Sequence, residues 1–312
     1  MRLVNFVKKI RLNTIILIFC TPILISWGTI GHENINRLAV LCIPKPLVNF
    51  FYNHIDFMVT ASSVPDMRRY ALEDKSEVPK HFIDLENFGP LDSIPFSLHD
   101  AQRKYGKDFL QKNGILPWCI EETMNKLTKA FKEKRKNEIL FLAADLGHYI
   151  ADAYTPLHTT VNYDGQLTSQ KGIHDFWESK LINCLNVNLM NHSVKPVLIV
   201  DIHKEIWKII QHSNSLVDSI LLIDKDLRIK HSVQNDIYSK EYAHEYCLLA
   251  RGMPERQMRS AANSIASYWF TAWVNAGSPD LSELDNINQY RLSSANLKKE
   301  LRLLRNKPSL IK

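Results

Sequence analysis

The run EILFLAADLGHYIADAYTPLH, residues 138–158, decides the fold class. Apolar residues at Leu140, Ala143, Leu146 and Ile150 recur at three- and four-residue spacing, which predicts a largely buried helix from Glu138 to Tyr154. Thr155-Pro156 closes it, because proline disfavours helical backbone before it and cannot continue the hydrogen-bond ladder. Two further segments carry the same period. Ile202, Ile206, Ile209, Ile210, Leu216, Val217 and Ile220 mark a second amphipathic helix. Met258, Ala261, Ala262, Ile265, Trp269, Ala272 and Trp273 mark a third, stopped by Gly277 and Pro279. Trp269 and Trp273 fall on the apolar stripe and are assigned to packing. Alternating, strand-like runs are short and few, so the expected architecture is all-α.

The first 26 residues read as a targeting segment. Arg2, Lys8, Lys9 and Arg11 form a basic start, and Ile15 to Ile25 is an uncharged, mainly apolar run too short to span a bilayer comfortably. Cleavage after Ser26 is the expectation, with an uncleaved anchor as its alternative. Losing those four basic residues leaves 35 of the 39 Lys and Arg against 33 Asp and Glu, so the formal charge falls from +6 to +2. The basic balance therefore argues only weakly for a nucleic-acid partner. The rest is long enough for a substantial core and shows no internal repeat, low-complexity tract or second apolar span. One domain is expected over 27–280, followed by a polar, basic tail over 281–312 that includes Lys298, Lys299, Arg302 and Arg305. Cys42, Cys119, Cys184 and Cys247 lack any CxxC spacing, so no zinc knuckle is recognisable; export would permit disulfides.

The chemistry is concentrated around the same run. His148 and Asp152 are four apart, one turn along one helix face, and His174 and Glu178 repeat that spacing on what should be another helix. His158 follows the Thr155-Pro156 stop, where a rigid turn could aim it back toward the first pair. A single His/acid pair is most simply a solvated ion pair or a satisfied core histidine. Five such groups within 31 residues favour a metal site instead, because burying them without a cation would be costly.

The block Ala144–His158, followed by Asn162-Tyr163-Asp164-Gly165-Gln166 and His174–Glu178, resembles the zinc-dependent phospholipase C and S1/P1 nuclease superfamily. Trp27-Gly28-Thr29-Ile30-Gly31-His32, Pro65-Asp66 and Lys80-His81 match its other hallmarks in order, so the resemblance covers Trp27 to Glu178. It implies a single-domain, multi-helix fold around three zinc ions. One zinc would be held by Asp66, His81, His148 and Asp152, and a second by His158, His174 and Glu178. The third would take the freed amine and carbonyl of Trp27 with His32, and Asp152 would bridge it to the first. The implied activity is phosphodiester hydrolysis by a zinc-activated hydroxide, with Asp66 as ligand, general base or both. Asn162 and Gln166 are plausible supporting donors, a structural loop role being equally open.

For substrate, Glu178 and the Ile35–Val40 run resemble the bacterial phospholipase C-like branch, which implies a phospholipid, met at a membrane surface by an exported enzyme, periplasmic or secreted. Met67 replaces a tyrosine that helps cage choline in the best-known choline-specific members. The alternatives are a single-strand nuclease or nucleotidase, with single-stranded nucleic acid as partner, and a non-catalytic exported zinc-binding protein. No protein partner is implied. His54, His99, His192, His203, His212, His231 and His244 are assigned to surface or structural roles; Arg68 and Arg69 are read as solvated surface residues, although they could meet an anionic substrate.

Overall fold

The structure, a computed structural model, describes residues 28–181, 196–232 and 238–285. The targeting segment, Trp27, Cys184, His192 and the tail beyond Asp285 lie outside the described residues. Those described form helices and connecting turns without a strand. No described helix is long and apolar enough to cross a membrane.

The chain opens with α1 (Gly28–Cys42), then three short helices, α2 (Leu47–Asn53), α3 (Ile55–Ala61) and α4 (Val64–Tyr70). α5 (Leu98–Tyr105) and α6 (Lys107–Asn113) lead into α7 (Leu116–Lys132) and α8 (Lys136–Ala153). α8 is the helix expected from residues 138–158, and it ends one residue before Tyr154. It packs along α7 and also touches α1 and α3. The chain then runs through α9 (Ile173–Asp175), α10 (Ile202–Asn214), α11 (Val217–His231), α12 (Lys240–Leu249) and α13 (Met253–Asn275). α13 is the expected third helix, and it packs on α1, α7 and α8.

The second expected helix differs. Residues 202–220 form the end-to-end pair α10 and α11, broken at Ser215 and Leu216. Side-chain bonds compete with helix continuation there: Ser213 donates to the Ala153 carbonyl (2.7 Å) and Asn214 to the Thr159 carbonyl (2.9 Å). Those bonds also pin α10 against the turn that carries His158. Residues 281–285, expected to open the tail, pack on the body. Leu281 is buried, and Asp285 bonds to Asn53, His54 and Lys136, so the packed body extends through 285.

The main core is built from α1, α2, α3, α7, α8, α10 and α13, with Phe51 stacked on Trp269 and Ile35, Leu127, Leu146 and Ile265 fully buried. Trp269 donates its indole proton to the Ala143 carbonyl, confirming its packing role. A smaller core of Phe176, Trp177, Tyr242 and Tyr246 lies beneath α9, α11 and α12. Where α1 meets α8 the backbones approach closely enough that a Cβ on Gly147 would run into the Asn36 side chain. That glycine lets His32 and His148 stack, with ring centroids 3.9 Å apart.

Candidate metal centre

Separate elements along the chain deliver the expected residues to one place. α1 contributes His32; α4 contributes Asp66 in its first turn, started by Pro65; a 3-10 turn over Val78–His81 contributes His81; and α8 contributes His148 and Asp152. His158 sits in the 3-10 turn Pro156–Thr159 that follows the helix stop. His174 lies on α9, which continues as a π-helical turn, Phe176–Lys180, bearing Glu178. The expected regular helix is thus a widened turn, of the kind often found at functional sites. His32, Asp66, His81, His148, Asp152, His158 and Glu178 are all at most 5 % exposed.

Ligand atoms converge in three groups, each able to hold a metal ion: His32 with Asp66 and His148, His81 with His148 and Asp152, the two sharing His148, and separately His158 with His174 and Glu178. His81 Nδ1 lies 3.0 Å from both Asp152 Oδ2 and His148 Nε2, and His148 Nε2 is 3.2 Å from Asp152 Oδ2. Asp66 Oδ1 stands 3.7 Å from His81 and 3.8 Å from His148. The other oxygen of Asp152, Oδ1, faces His32 Nε2 and His158 Nδ1, each at 3.5 Å. Glu178 places one oxygen 2.9 Å from His158 Nε2 and the other 2.9 Å from His174 Nε2, and those two nitrogens are 3.1 Å apart.

The backbone fixes which nitrogens face inward. His148 Nδ1 bonds to the Ser62 carbonyl (2.8 Å) and His158 Nδ1 to the His81 carbonyl (2.7 Å). A carbonyl only accepts, so both Nδ1 atoms carry protons and both Nε2 atoms point into the cluster.

These groups fit a cation better than they fit one another. Both oxygens of Asp66 and both of Glu178 are buried without a hydrogen bond, although imidazole nitrogens stand close by. Buried acceptors left this way cost free energy that a coordinated cation would offset. Protonation shows the same tension. Burial raises Asp66 to about 7. Burial would lower His148 and His158, but Asp152 and its neighbouring carboxylates Asp66 and Glu178 raise both imidazoles to about 9. Burial opposes ionisation of Asp152, yet His148 and His158 hold it well below the usual carboxylate range. Burial likewise opposes ionisation of Glu178, while His174 and His158 bring it to about 2. Burial and the neighbouring His148 depress His32. Protons hold the place that a cation would take.

Asn162 and Gln166 do not support the cluster. Asn162 bonds to Thr168 and to the Leu167 amide, and Gln166 to the Val161 carbonyl and the Asp164 amide, so both shape their own loop. The other described histidines also lie outside the three groups, with His54 paired to Asp285, His203 to Glu121 and His231 to Glu245.

Sequence reasoning passed over two features. Arg68 is no solvated surface residue: it pairs with Asp145 (2.8 Å) and Glu77 (3.2 Å) and bonds to the Tyr149 hydroxyl. Asp145, a charge on the mainly buried helix α8, was the available signal. Arg69, the next residue, lies partly buried over the Tyr70 ring, 4.9 Å from its centroid, and its charge reaches Asp66 and His81. The two arginines therefore have different jobs, one structural and one facing the cluster. No protein-family model matches this chain, and no curated protein matches it.

Proposed function

We propose that the protein is an exported, zinc-dependent phosphodiester hydrolase with phospholipase C-like action on phospholipids, of the phospholipase C and S1/P1 nuclease type. The observation that carries this reading is the division of Asp152: one oxygen faces His81 and His148, the other His32 and His158. A structural zinc site closes four-coordinate around one ion, whereas this carboxylate stands between His81 and His148 on one side and His32 on the other, with a separate group of His158, His174 and Glu178 beside it. Three zinc ions are the expected complement. Imidazole nitrogens and carboxylate oxygens suit zinc. Asp66, His81, His148 and Asp152 would hold one ion and His158, His174 and Glu178 a second. His32 and Asp152 would hold the third, with Trp27, which lies outside the described residues.

When bound, zinc supplies Lewis acidity toward a phosphate and makes water acidic near neutral pH. The chain's own residues do the rest. Asp66, raised to about 7, is suited to accept a proton near neutrality when it is not ligating. Arg69, on the same short helix, supplies positive charge for an anionic phosphodiester. Met67 is exposed beside Asp66, and Tyr163 is exposed with its ring 5.8 Å from His174. An apolar rim suits the glycerol and acyl region of a phospholipid better than it suits a polyanion.

The test is a paired assay of zinc-loaded mature protein on phospholipid vesicles and on single-stranded DNA and RNA. Headgroup release from vesicles is the expected result. Nucleic-acid cleavage alone would replace the lipid reading with the nuclease one, for which Tyr163 would serve as a stacking platform. Zinc content with no hydrolysis of either would leave a non-catalytic zinc-binding protein.

A further inference from the structure

Four histidines meet around Asp152, and two of them have Nδ1 held by a backbone carbonyl, Ser62 for His148 and His81 for His158. His81 has no such carbonyl. Its Nδ1 faces Asp152 and His148, while its Nε2 is buried without a hydrogen bond. The polar atom it faces is Glu77 Oε1, 3.7 Å away, on a carboxylate only 1 % exposed.

Glu77 precedes the 3-10 turn that ends in His81, so the two residues are one turn apart on the same segment. Its carboxylate is clamped from three other sides. Lys80 reaches Oε2 at 2.8 Å, Arg68 reaches Oε2 at 3.2 Å, and the Tyr149 hydroxyl donates to Oε1. Arg68 is fixed in turn by Asp145, and Tyr149 and Asp145 both lie on α8, the helix of His148 and Asp152. This clamp sets the carboxylate's position relative to α8. A carboxylate this buried and this firmly placed needs a reason beyond neutralising Lys80, which is itself 30 % exposed.

We propose that Glu77 is a positioning residue for His81, holding the imidazole proton on Nε2 and so directing the Nδ1 lone pair into the cluster. The inference rests on the metal-site reading above. If Nδ1 is to ligate a cation, the proton of the neutral imidazole must sit on Nε2, and a buried N–H facing an anion is favoured over one facing nothing. At 3.7 Å the contact is longer than a hydrogen bond and within ion-pair range. Outer carboxylates of this kind orient metal-ligating histidines, and their loss typically weakens metal affinity about 10–100-fold.

The experiment titrates wild type, Glu77→Gln and Asp145→Asn with zinc chloride against a chelating dye, with circular dichroism to check folding. Asp145→Asn breaks part of the clamp but leaves the Glu77 carboxylate. The expected result is zinc binding weakened about 10–100-fold in Glu77→Gln and within about threefold of wild type in Asp145→Asn. Equal affinity in Glu77→Gln and wild type, or equal loss in both variants, overturns the inference and leaves the metal-site reading intact. Wild type that takes up no zinc overturns both. If Glu77→Gln does not fold, nitrogen-15 histidine spectra of zinc-loaded wild type decide. A His81 Nε2 proton downfield of the His148 and His158 Nδ1 protons is expected from a carboxylate partner, and one upfield of them overturns the inference.

Discussion

Replacing Asp152 by asparagine keeps the size of the side chain and one oxygen but removes the charge toward which His32, His81, His148 and His158 converge. The structure sets the scale. His148 is raised from 6.5 to about 9 although burial acts the other way, with Asp152 the larger and Asp66 the smaller of the two carboxylates responsible. At about 1.36 kcal/mol per pKa unit the net preference for imidazolium is roughly 3 kcal/mol, and Asp152, its largest source, supplies on the order of 2 kcal/mol. A divalent ion couples to the same charge about twice as strongly, which puts the loss at roughly 3–4 kcal/mol for a cation in that position. That is about two to three orders of magnitude in affinity. Mass-spectrometric metal analysis and dye competition should therefore show Asp152→Asn losing at least one zinc, and hydrolysis of a generic phosphodiester should collapse with it. His244→Ala, on an exposed face of α12, serves as the control and should change neither reading. Retention of three zinc ions with affinity within threefold of wild type would refute the bridging role and the charge argument beneath it.

Zinc binding at pH 7 should release at least two protons, because His148 and His158, at about 9 without metal, must each lose the Nε2 proton to ligate. The sign follows: affinity rises with pH and levels off above about 9, and calorimetry in buffers of different ionisation enthalpy counts the protons, with fewer than one refuting the assignment. The neighbouring arginines should separate cleanly. Arg68→Ala strands Glu77 and Asp145 and should cost roughly 2–3 kcal/mol in denaturant unfolding, less than for a fully buried pair because Arg68 is 26 % exposed. Arg69→Ala should lower kcat/KM about 10–100-fold while stability stays within about ±0.5 kcal/mol; equal stability losses in the two would refute the division. N-terminal sequencing of exported protein should begin at Trp27, and one extra residue before it should remove a single zinc from the complement of three.

The sequence alone was enough for the class of fold, because helical period is a local property: residues 138–158 carried their own apolar spacing and their own proline stop, and α8 forms where that spacing says. The cluster was legible for a related reason. His148 with Asp152, and His174 with Glu178, sit at i and i+4, so their neighbourhood is written into the chain whatever the rest of the protein does. What joins the pairs is not local. His32, Asp66 and His81 come from segments far along the chain, and only the packing of α1 and α4 against α8, with Gly147 allowing the close approach, brings them to Asp152. The break between α10 and α11 likewise depends on Ser213 and Asn214 finding carbonyls of Ala153 and Thr159, which no spacing within 202–220 records. The roles of Arg68, Arg69 and Glu77 were hidden for the same reason. A charged side chain looks solvated until its partners are known, and the α8 partners of Arg68 and Glu77, Asp145 and Tyr149, lie more than seventy residues away. Periodicity fixes where helix can form, and tertiary packing decides where it breaks and which charges meet.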